Sequence, residues 1–286
     1  MDFGYVATAM VTPFNKEGMI DAGKTKELID YLLANGTDAL VVCGTTGESP
    51  TLQTDEKLTL FKLCIDYVKK RVPVIAGTGS NDTKASIELT KKATDIGADG
   101  IMLVTPYYNK PSQKGLYEHF KEIAAVTPLP IMLYNVPGRT AINMEADTTI
   151  ALSKIKNITA VKEACGSLDQ MAEIISGTDG DFHLYSGDDS FTLPALSIGA
   201  TGVVSVASHV IGKEMQTMVS SFKGGDVQKA AEIHRALLPT MNALFIAPNP
   251  TCVKFALKKK GIDTGEVRLP LVPLSPELQQ EVEQHL

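Results

Sequence analysis

The chain has 286 residues, of which 44% are hydrophobic and 21% are charged, and its formal net charge is −6. This composition is typical of a globular protein with one large core or two small ones. It argues against nucleic-acid binding, which needs clusters of basic residues, and no apolar run approaches the roughly 18 residues that span a membrane.

The first residues lack the basic and apolar regions of a signal peptide, and the four cysteines include no CxxC pair. We therefore expect reduced thiols in a cytoplasmic protein. The five histidines show no metal-ligand spacing, so no catalytic metal is predicted.

Eight short apolar runs predict β-strands. The predicted strands are Tyr5–Val11, Ala39–Cys43, Val74–Ala76, Gly100–Thr105, Ile131–Asn135, Ile158–Lys162, Phe182–Ser186 and Gly202–Val206. Several of these runs are apolar throughout, which is typical of strands buried on both faces of a parallel sheet. The segments between the strands have helical patterns, and those with the clearest start and stop signals are Asp21–Ala34, Thr54–Lys70, Asp82–Gly97 and Gly115–Val126.

Eight successive strand–helix units predict an α/β fold, the (β/α)8 TIM barrel. A doubly wound sheet would carry a glycine-rich dinucleotide loop after its first strand, and none follows Tyr5–Val11. Four more helical patterns follow the eighth strand, at Lys213–Phe222, Asp226–Phe245, Pro250–Lys260 and Pro276–His285. Because one of them belongs to the barrel, we divide the chain into a barrel over residues 1–224 and a C-terminal helical appendage over residues 225–286.

Barrel enzymes carry their chemistry at the carboxyl ends of the strands, and Lys162 ends the sixth predicted strand. An ammonium group is disfavoured inside a packed barrel, and an amine without its extra proton is the nucleophile of Schiff-base chemistry. A strand-end lysine that reaches solvent is the alternative, and it is the better interpretation of Lys162 considered alone. Strand alternation directs Glu163 away from Lys162.

Three other strand ends carry polar side chains. Tyr134 ends the fifth strand, where a phenol can move protons near a Schiff base, although a buried structural tyrosine is the alternative. Thr45 and Thr46 follow the second strand in a glycine-containing turn that can hold a carboxylate, although an ordinary βα turn has the same composition. Arg139 can grip a carboxylate with both ends of its guanidinium group, unless it is a surface arginine.

Two residue pairs each have alternative roles. Tyr107 and Tyr108 follow the fourth strand, where either can pack at an interface or enter an active site. Asp188 and Asp189 follow the seventh strand, where paired carboxylates can bind a metal or form an acid–base couple. For the two aspartates we favour an N-cap of the next helix.

Five motifs occur together and in order. They are GTTGES at 44–49, VTPYYNKPSQ at 104–113, YNVPGRT at 134–140, AVKEA at 160–164 and SGDD at 186–189. Over nearly the whole chain the sequence resembles the dihydrodipicolinate synthase family of pyruvate-dependent aldolases, and Pro248-Asn249-Pro250 matches a further segment of that family. The arginine of YNVPGRT is the sharper sign of the synthases, because the sialic-acid lyase branch differs there.

The resemblance implies a lyase that condenses pyruvate with L-aspartate 4-semialdehyde to give 4-hydroxy-tetrahydrodipicolinate. This is the first committed step of diaminopimelate and lysine biosynthesis, and it needs no cofactor. Lys162 would form the Schiff base with pyruvate. The proton relay would comprise Tyr134, Thr45 and Tyr108, and Tyr108 would enter the active site of a neighbouring subunit.

The resemblance also implies the residues that bind the substrates. Thr46 would hold the carboxylate of pyruvate, and Arg139 would bind the carboxylate of aspartate 4-semialdehyde at the mouth of the site. Gly187 and the backbone at Val206 would line the pocket. The expected assembly is a homotetramer built as a dimer of dimers.

One region departs from the members of the family that lysine inhibits, which bind lysine with histidines and a glutamate. Thr54, Lys57 and Ala85 stand at the corresponding positions here. Lys57 would repel a cationic effector, so we expect weak or absent inhibition by lysine.

Three other functions compete with this interpretation. The nearest is another pyruvate-dependent aldolase, acting on a sialic acid or a 2-keto-3-deoxy sugar acid, and Arg139 argues against it. A non-catalytic barrel that binds keto acids is disfavoured by the joint presence of Lys162, Tyr134, Thr45 and Thr46. A phosphate-binding barrel enzyme is disfavoured because no phosphate loop follows the last two strands.

Overall fold

The computed structural model describes residues 3–286 and contains a closed barrel of eight parallel strands arranged in chain order. The strands are β1 (Val6–Ala9), β2 (Ala39–Val42), β3 (Val74–Gly77), β4 (Gly100–Val104), β5 (Ile131–Asn135), β6 (Ile158–Glu163), β7 (His183–Ser186) and β8 (Gly202–Ser205). The last strand pairs with the first, with Val6 opposite Val203. The predicted TIM barrel is confirmed, and all eight predicted strands are present with ends that differ by at most two residues.

Helices follow the strands around the outside of the barrel. They are α1 (Ala22–Ala34), a 3-10 helix (Ser49–Thr51), α2 (Thr54–Val68), α3 (Thr83–Ile96), α4 (Gln113–Ala124), α5 (Pro137–Thr140), α6 (Ala146–Ser153), α7 (Leu168–Gly177), α8 (Thr192–Ser197), α9 (Ser208–Lys223), α10 (Val227–Ala243), α11 (Thr251–Lys259) and α12 (Pro276–Glu283). Of the four C-terminal helices predicted, α9 is the one that packs on β1 and α1 and closes the ring. It begins five residues earlier than predicted, across a kink at Ile211.

Strand alternation explains the continuous apolar runs. In β2, Ala39 and Val41 belong to the cluster inside the barrel, whereas Leu40 and Val42 pack in the layer between the strands and the helices. All four side chains are fully buried, so neither face of the strand tolerates polar residues. The same alternation in β6 places Ala160 inside the barrel with Lys162, two residues further along.

The C-terminal helices pack against the barrel instead of standing apart from it. Helix α10 contacts α8 and α9, and α11 contacts α9 and α12. Beyond α11 the chain returns to the β2 end of the barrel, where Arg268 donates to the carbonyls of Gly18 and Thr51 and pairs with Glu56. Among residues 3–286, no helix has the length and apolar character needed to cross a bilayer.

Candidate active site

A cavity of about 260 Å³ opens at the carboxyl ends of β2 to β5. It is lined by Cys43, Gly44, Thr45, Ser49, Pro50, Lys57, Gly77, Gly79, Met102, Val104, Tyr107, Tyr134, Val136, Arg139 and Thr140. Three of the site residues predicted from the sequence, Thr45, Tyr134 and Arg139, are therefore brought together around one space. The cavity lies at the end of the barrel where active sites of this fold occur.

Lys162 and Tyr134 form a pair within the barrel. They are register partners on β6 and β5, and the lysine nitrogen Nζ lies 4.2 Å from the centroid of the tyrosine ring. Lys162 is 4% exposed and Tyr134 is likewise 4% exposed. Among the described residues no carboxylate forms an ion pair with Lys162, so the aromatic face is its electrostatic partner. Tyr134 borders both the cavity and the amine, which places the amine next to the space that a substrate can enter.

Gly187 supplies room for the lysine side chain. A Cβ atom at this position would lie 3.2 Å from Cε of Lys162 and 2.7 Å from Cβ of Ala164. The amide of Gly187 donates to the carbonyl of Glu163 at 2.7 Å, which fixes this approach of the β7 loop to β6. The Glu163 side chain points to the other side of the strand, as predicted, and accepts hydrogen bonds from Asn135 and others.

The turn after β2 presents two threonines in different environments. Thr45 is half-buried and lines the cavity, whereas Thr46 is 2% exposed and its hydroxyl oxygen accepts a hydrogen bond of 2.9 Å from the amide of Asn249. Glu48 ends the turn in the left-handed backbone region, with φ of 56°. Its carboxylate forms a buried ion pair with Lys254, at 2.8 Å.

Arg139 lies on the short helix α5 and is exposed at the rim of the cavity. Within residues 3–286 its guanidinium group has no carboxylate partner. An unpaired guanidinium at a cavity mouth is suited to bidentate binding of a carboxylate.

The two tyrosines after β4 have different positions. Tyr107 is half-buried and lines the cavity, whereas Tyr108 is 88% exposed, has φ of 73° and does not line it. Two hydrogen bonds hold this loop: Asn81 donates to the carbonyl of Tyr107 at 3.1 Å, and Asn109 donates to the carbonyl of Asn81 at 2.9 Å. Tyr108 is therefore held away from the cavity of its own chain.

The N-cap interpretation of Asp188 and Asp189 is wrong. The residue before α8 is Phe191, and no side chain caps that helix. The Asp189 carboxylate instead accepts from the Ser205 hydroxyl and from the amides of Val206 and Ala207, at 3.1 and 2.9 Å. It thus fixes the backbone at Val206 after β8, a contact that spans 17 residues and that local capping rules do not predict.

Burial perturbs two ionisable groups of the cavity wall. It raises the pKa of the Cys43 thiol to about 12, so this cysteine stays protonated and is no nucleophile at neutral pH. Burial also lowers the pKa of Lys57, which lines the cavity on the β2 side. All four cysteines are free. In the chain from residue 3 onwards, no group of three or more His, Cys, Asp or Glu residues is arranged to hold a metal ion.

Two residues near the site were not predicted from the sequence to belong to the active site. Asn249 reaches Thr46 from the start of α11, and Lys57 lines the cavity itself. The match of Pro248-Asn249-Pro250 to a family segment draws attention to Asn249, but it does not predict the contact with Thr46. Lys162 adjoins the cavity residue Tyr134, and Thr46 follows Thr45, but neither lines the cavity itself. Gly187 and Val206 are also outside its lining.

Comparison with known proteins identifies the family. A family model described as "Dihydrodipicolinate synthetase family" matches residues 2–286. A 4-hydroxy-tetrahydrodipicolinate synthase of Halalkalibacterium halodurans is 63% identical over 283 residues, which cover 99% of this chain and 97% of the relative. The chain belongs to the dihydrodipicolinate synthetase family.

Solved structures agree with this assignment. A dihydrodipicolinate synthase from Bacillus anthracis has a TM-score of 0.98 at 57% identity, covering 100% of this chain and 98% of that one. A dihydrodipicolinate synthase from Cyanidioschyzon merolae, solved with lysine bound, has a TM-score of 0.97 at 48% identity, with 99% and 97% covered.

Proposed function

We propose that this protein condenses pyruvate with L-aspartate 4-semialdehyde to form 4-hydroxy-tetrahydrodipicolinate, in diaminopimelate and lysine biosynthesis. The observation that carries the proposal is the buried amine of Lys162 against the ring of Tyr134, beside a cavity with an unpaired arginine at its rim. The relatives that match over nearly the whole chain bear the name of this activity.

The reaction begins with the neutral amine of Lys162, which attacks the ketone carbon of pyruvate. Tyr134 passes a proton to the carbinolamine oxygen, water leaves, and an imine remains. Loss of a methyl proton gives an enamine, whose carbon attacks the aldehyde. The amino group of the semialdehyde then attacks the imine carbon, closes the ring and releases Lys162, so that one water is lost overall.

Binding of the two substrates uses opposite parts of the site. Thr46 and the amides of its turn hold the carboxylate of pyruvate, and Thr45 joins Tyr134 in the proton relay. Arg139 binds the carboxylate of the semialdehyde from the rim. This division is supported by burial, since Thr46 is 2% exposed while Arg139 faces solvent.

We further propose that Gly187 and the backbone of Val206 form the wall opposite the β2 turn. Gly187 lies against the stem of Lys162, and Asp189 fixes the amide of Val206. Because this wall consists of backbone and a glycine, it leaves space beside the Lys162 amine for the ketone carbon of pyruvate.

Tyr108 completes the relay from a neighbouring subunit, in a homotetramer built as a dimer of dimers. Its 88% exposure supports this role, because an aromatic side chain of that size is suited to burial against a partner. The protein acts in the cytoplasm and needs no cofactor or metal.

Trapping with borohydride tests the proposed function. Incubation with pyruvate and borohydride should add a reduced pyruvate group to the peptide that contains Lys162, as detected by mass spectrometry. Lys162→Arg keeps the charge but removes the nucleophile and should give no adduct. A label on another lysine, or no label on the wild-type protein, would overturn the mechanism.

A second assay distinguishes the nearest alternative, an aldolase of the sialic-acid or sugar-acid type. We expect turnover with pyruvate and aspartate 4-semialdehyde and none with N-acetylneuraminate. Faster cleavage of N-acetylneuraminate would favour the alternative while leaving the Schiff base intact.

A further inference from the structure

Among residues 3–286 the hydroxyl of Thr46 has a single hydrogen-bond partner, and that partner lies far away in the sequence. The side-chain amide Nδ2 of Asn249 donates to Oγ of Thr46 at 2.9 Å, across 203 residues. Both side chains are buried, at 2% and 7% exposure. The contact joins the start of α11, in the C-terminal appendage, to the turn after β2.

The direction of this hydrogen bond has a chemical consequence. A threonine hydroxyl carries one hydrogen and two lone pairs. Because Asn249 occupies a lone pair of Thr46, the hydroxyl hydrogen points elsewhere, and among residues 3–286 no acceptor receives it. The hydroxyl is thus prepared to donate to an incoming acceptor, and a carboxylate is an acceptor only.

The other half of the Asn249 amide supports a functional role. Its carbonyl oxygen Oδ1 is buried, and no residue from 3 to 286 donates a hydrogen bond to it. A buried acceptor in this state costs about 1–3 kcal/mol, so an apolar side chain would suit the fold better. A residue that lowers stability in this way calls for an explanation other than stability.

A second contact holds Asn249 in place. Five residues further along, Lys254 on α11 forms the buried ion pair with Glu48, which closes the same turn. Arg268 adds a backbone hydrogen bond to the Glu48 carboxylate at 2.8 Å. The start of α11 is therefore attached to both ends of the segment from Thr46 to Glu48.

We propose that Asn249 is a positioning residue for pyruvate, which orients the Thr46 hydroxyl so that it donates to the substrate carboxylate. The proposal rests on the proposed function of the site. By this proposal the C-terminal appendage contributes to the affinity for pyruvate. The hydrogen bond from Asn249 leaves the hydroxyl proton of Thr46 free to bind the ligand.

A double-mutant cycle tests the proposal. The readout is the pyruvate concentration that gives half-maximal borohydride trapping on Lys162, measured with Asn249→Leu, Thr46→Val and the double variant. Asn249→Leu alone should raise this concentration about fivefold, the equivalent of one neutral hydrogen bond. In the Thr46→Val background the same substitution should change it less than about twofold, because the hydroxyl is absent.

Asn249→Asp gives a sharper result with the same side-chain shape. An ionised aspartate can only accept hydrogen bonds, so it would accept one from the Thr46 hydroxyl. It would also place a negative charge near the carboxylate of pyruvate. We expect a rise of roughly tenfold or more in the half-saturating pyruvate concentration, with the KM for aspartate 4-semialdehyde unchanged. Asn242→Asp makes the same charge change at an exposed position of α10 and should leave both values unchanged.

Equal effects of Asn249→Leu in both backgrounds would overturn the proposal and leave Asn249 a structural residue. If the leucine variant does not fold, Asn249→Ala takes its place in the cycle. A wild-type protein without any pyruvate adduct would instead refute the proposed function, so the two failures are distinguishable.

Discussion

The amine of Lys162 and the ring of Tyr134 face each other at 4.2 Å, from paired positions on adjacent strands. The ring face contacts the amine, which leaves the hydroxyl free for proton transfer. The ring and the hydroxyl therefore have separable roles.

Replacing Tyr134 with phenylalanine separates these roles. The ring face remains, so the protein should fold and its thermal stability should stay close to that of the wild type. Turnover should fall by about 10²–10⁴-fold because proton transfer is lost. Steady-state kinetics and circular dichroism check both expectations, and near wild-type turnover would remove Tyr134 from the relay.

The glycine at position 187 can be tested with a single methyl group. Gly187→Ala would place Cβ 2.7 Å from Ala164 and 3.2 Å from the Lys162 stem, so one of them must move. We expect slower formation of the pyruvate adduct, by about tenfold or more, since small misplacements of a reacting group are costly. Gly180→Ala, where no atom lies within 4 Å, is the matched control. Identical trapping rates in the two variants would contradict the expectation.

The ion pair between Lys254 and Glu48 should matter for stability, because the two side chains are 4% and 1% exposed. Burial lowers the pKa of Lys254, and the Glu48 charge opposes that shift. Lys254→Met leaves an uncompensated buried carboxylate and should lower the free energy of unfolding by roughly 3–5 kcal/mol.

Two controls accompany this measurement by urea denaturation. Adding Glu48→Leu should restore much of the loss, because the unpaired charge is removed with it. Lys62→Met breaks the exposed pair with Asp66, at 68% and 61% exposure, and should cost less than about 1 kcal/mol. If Lys254→Met lowers the free energy of unfolding no more than Lys62→Met does, water reaches the buried pair.

His209 predicts sensitivity to acid. It is fully buried, its Nδ1 donates to the carbonyl of Val206, and its Nε2 accepts from the amide of Val11 at 3.2 Å. Burial lowers its pKa from 6.5 to about 4. Below pH 6.5 the unfolded chain gains a proton that the native state does not, so stability present above that pH is lost as pH falls towards 4.

The expected loss from this one group is about 3 kcal/mol between pH 6.5 and pH 4. His119, whose pKa burial also lowers to about 4, adds a second contribution of the same sign. His209→Gln should flatten part of this pH dependence in urea denaturation at fixed protein concentration. An unchanged slope in the variant would show that His209 takes up a proton over the same pH range in the native and the unfolded states.

Lysine should be a weak inhibitor or none at all. The resemblance implies that Thr54, Lys57 and Ala85 replace the histidines and the glutamate that bind lysine in the inhibited members, and Lys57 lines the cavity. Calorimetry with millimolar lysine should detect no binding, with the Cyanidioschyzon merolae protein, solved with lysine bound, as the positive control. A rate halved by millimolar lysine would refute this expectation.

The features that were predicted correctly from the sequence depend on patterns that repeat within a few residues. The strands are predicted by apolar runs because strands such as β2 are buried at every residue. The alternation of side chains along β6 places Lys162 and Glu163 on opposite faces. Helices α6, α7 and α8, of 8, 10 and 6 residues, were not given individual bounds from the sequence.

The contacts missed from the sequence join residues far apart in the chain. The sequence around Asp189 predicts a helix cap, yet its carboxylate binds the loop after β8. Asn249 and Thr46 are separated by 203 residues, a distance over which no local pattern operates. The division into a barrel over 1–224 and an appendage over 225–286 stays a prediction, and the contact between Asn249 and Thr46 crosses it.

The contact between Asn249 and Thr46 also orders events during synthesis. The ribosome completes all eight strands before it reaches residue 249, and a growing chain folds from its N-terminal part first. A barrel formed at that stage has Lys162 and Tyr134 but lacks the amide that binds Thr46 and the ammonium that pairs with Glu48. The proposed role of Asn249 therefore predicts that a product truncated before residue 249 binds pyruvate more weakly, even where its barrel is intact.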